Sequence, residues 1–169
     1  MTTPTASAAT FRAPLVDDAK EIVRLAVASH VLDINSDYAY LLLARDFHET
    51  CVIAEEDGRV IGFVTAYRPP RDPDVLFVWQ IAVSEEARGR GLASQMLDEL
   101  IKRGLLLGVQ FIEATVTGSN FASRALFMSL GRRHNVDCEI TTGFSADAFE
   151  TAGHEAEDLF RIGPLPGSA

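Results

Sequence analysis

A chain of 169 residues with 47% hydrophobic and 23% charged residues can bury one real core, and its apolar runs are too short to span a bilayer. Its net charge of −9 argues against nucleic acid or an anionic membrane as the main partner and suits a cationic substrate. Two cysteines, Cys51 and Cys138, cannot make a disulfide scaffold and read as reduced core thiols; the leader MTTPTASAAT lacks the basic start and apolar stretch of a signal peptide, so a cytoplasmic protein is expected.

Residues 1–10 are rich in Thr, Ala and Ser and read as a disordered tail. Phe11–Leu15 suits a first strand. Asp18 with Glu21 three residues on resembles a capping box, and Ile22, Val23, Ala26 and Val27 then define a helix ending near His30. Val31–Tyr40 packs Asp33, Asn35, Ser36, Asp37, Tyr38 and Tyr40 into a loop and helix start. Two readings of it stand side by side. Asn35 and Ser36 can simply cap a helix whose tyrosines pack beside Leu41–Leu43; alternatively Asp33 pairs with a substrate ammonium and Tyr38 donates a hydrogen bond. Thr50–Glu55 and Arg59–Tyr67 are strand-like runs joined at Asp57-Gly58, a strong hairpin signal. Pro69, Pro70 and Pro73 then enforce a stiff, non-helical excursion.

Leu76–Leu100 is the most informative stretch. Leu76–Val83 is a buried-strand pattern, Ser84–Ala87 a polar loop, and Leu92, Met96, Leu97, Leu100 and Ile101 recur at helical spacing. Between loop and helix lies Arg88-Gly89-Arg90-Gly91-Leu92-Ala93. Gly89 and Gly91 can take backbone angles closed to other residues, so that successive amides turn toward one point, and the helix behind adds unpaired amides and its dipole. Such a turn suits a pyrophosphate; a plain connection with a solvated Arg pair is the plainer alternative. A dinucleotide turn fits poorly, since four polar residues separate strand from glycines and Ser94 holds the third glycine's place, and no P-loop run is present. The helix is expected to end at Gly104 or Gly108. Val109–Thr117 reads as a strand with Glu113, Thr115 and Thr117 on one face, Ser119-Asn120 as the cap of a helix closed by Gly131, and Cys138–Thr142 and Leu159–Ile162 as final strands. The order is α+β with one βαβ crossover, without internal repeat or linker.

Arg88-x-x-Gly91-x-Ala93 after Ile81-Ala82-Val83 resembles the R/Q-x-x-G-x-G/A motif of the GCN5-related N-acetyltransferases. The resemblance implies the acyl-CoA N-acyltransferase (GNAT) fold over residues 11–163, with 164–169 a tail: a mixed, mostly antiparallel sheet with a splayed parallel pair and flanking helices. It implies acetyl-CoA as co-substrate, its pantetheine arm in the splay between Leu76–Val83 and Val109–Thr117. Cofactor contacts would come from Ile81, Ala82, Val83, Arg88, Gly89, Arg90, Gly91, Leu92, Ala93, Asn120, Ser123 and Phe127, with the Ile81 amide serving the thioester oxygen. Leu32–Tyr40, Phe77–Gln80 and Glu113–Thr117 are similar to the branch of that family that acetylates the 4-amino group of L-2,4-diaminobutyrate in ectoine biosynthesis. That likeness implies direct attack in a ternary complex, a cytoplasmic homodimer, and substrate contacts from Asp33, Asn35, Ser36, Tyr38, Trp79, Glu113, Thr115, Thr117 and His154. An arginine such as Arg68 could take the substrate carboxylate. Many relatives carry a Tyr acid where this chain has Phe127, and the histone-type enzymes a Glu where it has Phe77. Acid and base must therefore come from elsewhere: Glu113 first, or else a structural carboxylate paired with Arg or Lys; His154 second, or else a solvated histidine; Tyr38 as acid. His30, His48 and His134 lack metal-ligand spacing, and no metal is expected. Rival readings are an acetyltransferase for a polyamine or aminoglycoside, and a non-catalytic acyl-CoA sensor.

Overall fold

The computed structural model describes residues 8–167. The ends of the two expected tails, 1–7 and 168–169, lie outside the described residues. In chain order the elements are β1 (Thr10–Arg12), α1 (Ala19–Ser29), α2 (Asp37–Asp46), β2 (Val52–Glu56), β3 (Arg59–Tyr67), β4 (Val75–Val83), α3 (Leu92–Leu106), β5 (Phe111–Thr117), α4 (Phe121–His134), β6 (Cys138–Phe144) and β7 (Glu157–Ile162). This is the order read from the sequence. The strands form a mixed sheet in the order β1-β2-β3-β4-β5-β7-β6. β4 and β5 are parallel, through Val75↔Phe111, Leu76↔Ile112 and Phe77↔Glu113, and the ladder stops there although both strands continue. β1–β2, β2–β3, β5–β7 and β6–β7 are antiparallel.

The chain forms two compact units: residues up to Thr65 with Gln80–Leu100, and Ala66–Trp79 with the residues from Ile101 onward. The first has a core of Ile22, Leu25, Ala26, Tyr40, Leu43, Ile53, Phe63 and neighbours, drawn from α1, α2, β2 and β3. Asp57 (φ 49°) and Gly58 (φ 72°) are both left-handed, as a two-residue hairpin requires. The first strand is shorter than expected and begins at Thr10. The Leu15 amide donates to Asp18 Oδ2 at 2.6 Å, which bends the chain into a short 3-10 turn, Val16–Asp18, before α1. Asp18 therefore does not cap α1 with its side chain, and Glu21 accepts instead from Arg24 Nε at 2.8 Å. Asp18 takes Arg12 through a two-pronged pair of 2.7 and 2.9 Å, and Arg12 also reaches Glu55 at 2.6 Å. Burial pushes the Asp18 carboxyl up, but the Arg12 guanidinium and the Leu15 amide outweigh it and hold it below the usual carboxylate range. On β3, Gly62 lets α3 come close: a Cβ there would stand 3.0 Å from Met96 Cε and 3.2 Å from the Ala82 carbonyl oxygen.

The second unit buries Leu76, Ile112, Ala114, Val116, Phe127, Leu130, Phe160 and Ile162. Two glycines expected to end helices lie inside them. At Gly104 a Cβ would meet Val109 Cβ at 3.3 Å; the helix runs on to Leu106 and left-handed Gly108 (φ 79°) follows. At Gly131 a Cβ would meet Cys138 Cβ at 3.1 Å; α4 continues to His134 and left-handed Asn135 closes it. β5 starts at Phe111 rather than Val109, because the Val109 amide closes α3 on the Gly104 carbonyl at 2.9 Å and the Gln110 amide donates to the Asp74 carbonyl at 2.7 Å. Cys51 is buried as expected, while Cys138 is only partly so, and burial raises its thiol pKa.

Candidate active site

In the first unit, the Arg88–Ala93 segment takes the form its glycines allow. Gly89 and Gly91 both have φ 75°; around a Cβ at Gly89 nothing lies within 4 Å, and at Gly91 only Gln95 Nε2 at 3.7 Å. The turn leads directly into α3, whose first amides have no acceptor within the helix. Alternating left-handed backbone at a helix N-terminus is an anion-binding concavity. The turn is open enough for a pyrophosphate to approach the main chain, so its residues fit the phosphates of coenzyme A. Arg88 is exposed. Arg90 is paired with Glu56, whose carboxyl the guanidinium's hydrogen bonds hold below the usual range. Ile81, Ala82 and Val83 lie on β4 past the residues that pair with β5.

The Val31–Tyr40 stretch is the second part of this unit. Ser36 is the N-cap of α2, its Oγ accepting the Ala39 amide at 3.3 Å. The loop before it is anchored from below. Gln80 Nε2 donates to the Asp33 carbonyl at 2.7 Å, Tyr40 donates its hydroxyl hydrogen to Gln80 Oε1 at 3.0 Å, and the Asn35 amide donates to Tyr40 Oη at 3.4 Å. Tyr40 is wholly buried, whereas Tyr38 is 67% exposed. Asn35 Nδ2 is buried with no acceptor among the described residues. Gln80 is not among the site residues expected from the sequence, although a polar side chain inside the apolar run VLFVWQIAV marks it.

In the second unit, Glu113 is 2% exposed and lies between two arginines. Arg161 donates to its Oε1 at 2.5 Å and Arg71 to its Oε2 at 3.3 Å, while Arg161 also approaches Asp72 at 3.6 Å and stacks over the Phe111 ring at 4.0 Å. Thr115 and Thr117 oppose Leu159 and Glu157 in the β5–β7 ladder. Asn120 caps α4, its Oδ1 accepting the Ser123 amide at 3.1 Å. Phe127 is a core residue whose ring centroid is 6.1 Å from that of Phe160. Trp79 on β4 is 44% exposed. Arg68 is committed to the proline turn, donating to the Pro73 carbonyl at 2.6 and 2.9 Å.

His154 is not a solvated loop residue: its side chain is 17% exposed and its ring stacks on Phe149 at 3.7 Å. Nδ1 lies 2.7 Å from the Glu155 carbonyl oxygen. A carbonyl can only accept, so Nδ1 carries the hydrogen and Nε2 is the basic nitrogen of the neutral ring. Glu157 Oε1 is 4.0 Å from Nε2. The next residue, Glu155, accepts from both the amide and the hydroxyl of Ser119, which lowers its carboxyl pKa. Among the described residues no three His, Cys, Asp or Glu side chains are grouped to hold a metal ion.

Known acetyltransferases share this fold. The chain belongs to the acetyltransferase (GNAT) family, whose model matches residues 18–131. It is 50% identical over 156 residues to the L-2,4-diaminobutyric acid acetyltransferase of Halalkalibacterium halodurans, covering 92% of this chain and 82% of that one. The enzyme of the same name from Shouchella clausii is 44% identical over 156 residues, covering 92% and 87%. Among solved structures, the diaminobutyrate acetyltransferase EctA of Paenibacillus lautus, in complex with its substrate L-2,4-diaminobutyric acid and coenzyme A, matches with a TM-score of 0.89 at 41% identity, over 94% of this chain and 96% of that one.

Proposed function

We propose that this chain transfers the acetyl group of acetyl-CoA to the 4-amino group of L-2,4-diaminobutyrate, giving the 4-N-acetyl derivative from which ectoine is made. The observation that carries the reading is the likeness, at 41% identity and a TM-score of 0.89, to an enzyme solved with that diamino acid and coenzyme A. Residues 11–163 then act as one acetyltransferase domain, in a cytoplasmic homodimer without nucleic-acid or membrane partners. The acidic net charge of −9 supports a cationic substrate. Among the described residues, no helix is long and apolar enough to cross a membrane.

Roles follow from the chemistry of each group. Amides of Arg88–Ala93 hold the diphosphate, with the Arg88 side chain adding charge. Main-chain groups of Ile81–Val83 align the pantetheine, and the Ile81 amide stabilises the oxygen that becomes negative as the amine attacks. Asn120, Ser123 and Phe127 shape the remaining cofactor contacts. The Asp33 carboxylate pairs with the α-ammonium, and Ser36, Tyr38, Trp79, Thr115 and Thr117 border the diamine. Asn35 Nδ2, a buried donor without an acceptor among the described residues, is satisfied by a substrate oxygen. An alkyl ammonium with a pKa near ~10 must lose a proton before it attacks. His154 Nε2 takes that proton, its tautomer set by the bond from Nδ1. Glu113, whose two oxygens are occupied by Arg71 and Arg161, serves that chemistry by ordering the arginines. Tyr38 is the acid for the departing thiolate, whose pKa of about 8.5 makes the demand small.

The test is thiol release from acetyl-CoA across a panel of L-2,4-diaminobutyrate, a polyamine and an aminoglycoside, with the acetylated nitrogen identified by NMR. Diaminobutyrate should be preferred at least tenfold in kcat/KM, with acetylation at N4. Preference for a polyamine, or tight acetyl-CoA binding without turnover on any amine, overturns the reading. His154→Gln should lower kcat about 100-fold, as loss of a general base does, while leaving KM for acetyl-CoA in place.

A further inference from the structure

Arg90 lies between two left-handed glycines, so its backbone belongs to the turn while its side chain leaves it. The guanidinium donates in a fork to Glu56, Nη2 to Oε1 at 2.5 Å and Nη1 to Oε2 at 3.1 Å. Glu56 is the last residue of β2, directly before the Asp57-Gly58 turn. The pair opens on a polar hollow that holds charges of both signs, Glu55, Asp57 and Glu86 beside Arg12, Arg24 and Arg59, so it is the fork to Glu56 itself that commits the Arg90 side chain. The Arg90 carbonyl is tied as well, accepting from Gln95 Nε2 on α3 at 3.3 Å.

Two glycines two residues apart give a turn that loses much conformational entropy when it is ordered. A turn ordered before the cofactor arrives bears that cost in folding rather than in binding. We propose that Glu56 is a positioning residue for the diphosphate turn: by clamping Arg90 to the end of β2 it fixes the main chain of Arg88–Gly91 in the anion-binding conformation, and the Arg90 side chain does not ligate phosphate. This rests on the reading of that turn as the diphosphate cradle. Two neighbouring arginines thus have different work, Arg88 facing the anion and Arg90 holding the loop.

The experiment is calorimetric titration of the full-length protein with coenzyme A, alongside steady-state kinetics. The variants are Glu56→Gln, Arg88→Ala, Gly91→Val, and the exchange Glu56→Arg with Arg90→Glu. The pair is screened by solvent and its effect is modest, so Glu56→Gln should weaken coenzyme A binding about three- to fivefold. KM for acetyl-CoA should rise with it, while kcat and KM for the diamine stay in place. The exchange should recover most of the lost affinity, because the clamp works in either direction. If Arg90 were a phosphate ligand restrained by Glu56, Glu56→Gln would release it and tighten binding. That outcome, or unchanged affinity in Glu56→Gln while Arg88→Ala binds weakly, overturns the clamp and leaves the cradle standing. Unchanged affinity in both variants overturns the clamp, and an affinity likewise unchanged in Gly91→Val overturns the cradle with it.

Discussion

Tyr40 and Gln80, forty residues apart in the chain, share a buried hydrogen bond of 3.0 Å, and through it the helix α2 holds the loop that carries Asp33. Gln80 passes the restraint on to the Asp33 carbonyl. Tyr40→Phe deletes one hydroxyl, strands Gln80 Oε1 in the core and removes the acceptor of the Asn35 amide. Leaving buried groups unpaired costs about 1–3 kcal/mol. Urea denaturation should show a loss of that size, and KM for the diamine should rise more than KM for acetyl-CoA, since the loop and not the glycine turn is loosened.

The glycine turn has its own signature. Gly91→Val forces a β-branched residue to φ 75°, a conformation it strongly disfavours. Arg88→Ala removes charge without strain. Both should raise KM for acetyl-CoA, the valine variant by tenfold or more, and leave KM for the diamine within twofold. Addition of salt should narrow the gap between wild type and Arg88→Ala, because an exposed charge is screened.

Glu113→Gln distinguishes an organising carboxylate from a proton acceptor. The change leaves Arg161 and Arg71 facing a neutral amide in a site where Glu113 is 2% exposed. The arginines left behind are not buried, Arg71 being 66% and Arg161 31% exposed, so the loss in denaturant titration should be about 1–3 kcal/mol, that of hydrogen bonds to a charged group. At a single pH, kcat should fall far less in this variant than in His154→Gln, where the proposed proton acceptor itself is lost.

Asp18 sets an acid limit on the first unit. Its folded-state pKa is depressed, so the stabilisation from Arg12 and the Leu15 amide is fully present above the unfolded carboxylate value near ~3.9. It is lost as pH falls through the lower folded value. Asp18→Asn should therefore cost about 2 kcal/mol at pH 7, the worth of a hydrogen bond to a charged group. The difference from wild type should stay constant down to about pH 5 and shrink below about pH 4. Thermal unfolding across that range checks it.

Local signals carried most of the architecture. The Asp57-Gly58 hairpin and the Gly89 and Gly91 turn are legible because a two-residue loop and a left-handed backbone each demand glycine nearby. Gly104 and Gly131 mislead for the same reason reversed. Each looks like a helix terminator, yet its small size serves Val109 or Cys138 packed against it, and no neighbouring residue announces that contact. The site shows the same divide. Strand alternation places Glu113 on its face but says nothing of Arg71 and Arg161, 42 and 48 positions away in the chain. His154 reads as an ordinary loop histidine because the Phe149 stack forms only once the chain folds back.

Gly62 and Met96 carry a consequence for the history of this chain. Of the two atoms that a Cβ at 62 would crowd, the Met96 methyl at 3.0 Å is the end of a flexible side chain and can swing aside, whereas the Ala82 backbone oxygen at 3.2 Å cannot. Position 96 can therefore drift among apolar residues while position 62 is held to glycine by main chain. Across descendants of a common ancestor the first should vary and the second should not, and shortening residue 96 should not restore the stability lost in Gly62→Ala.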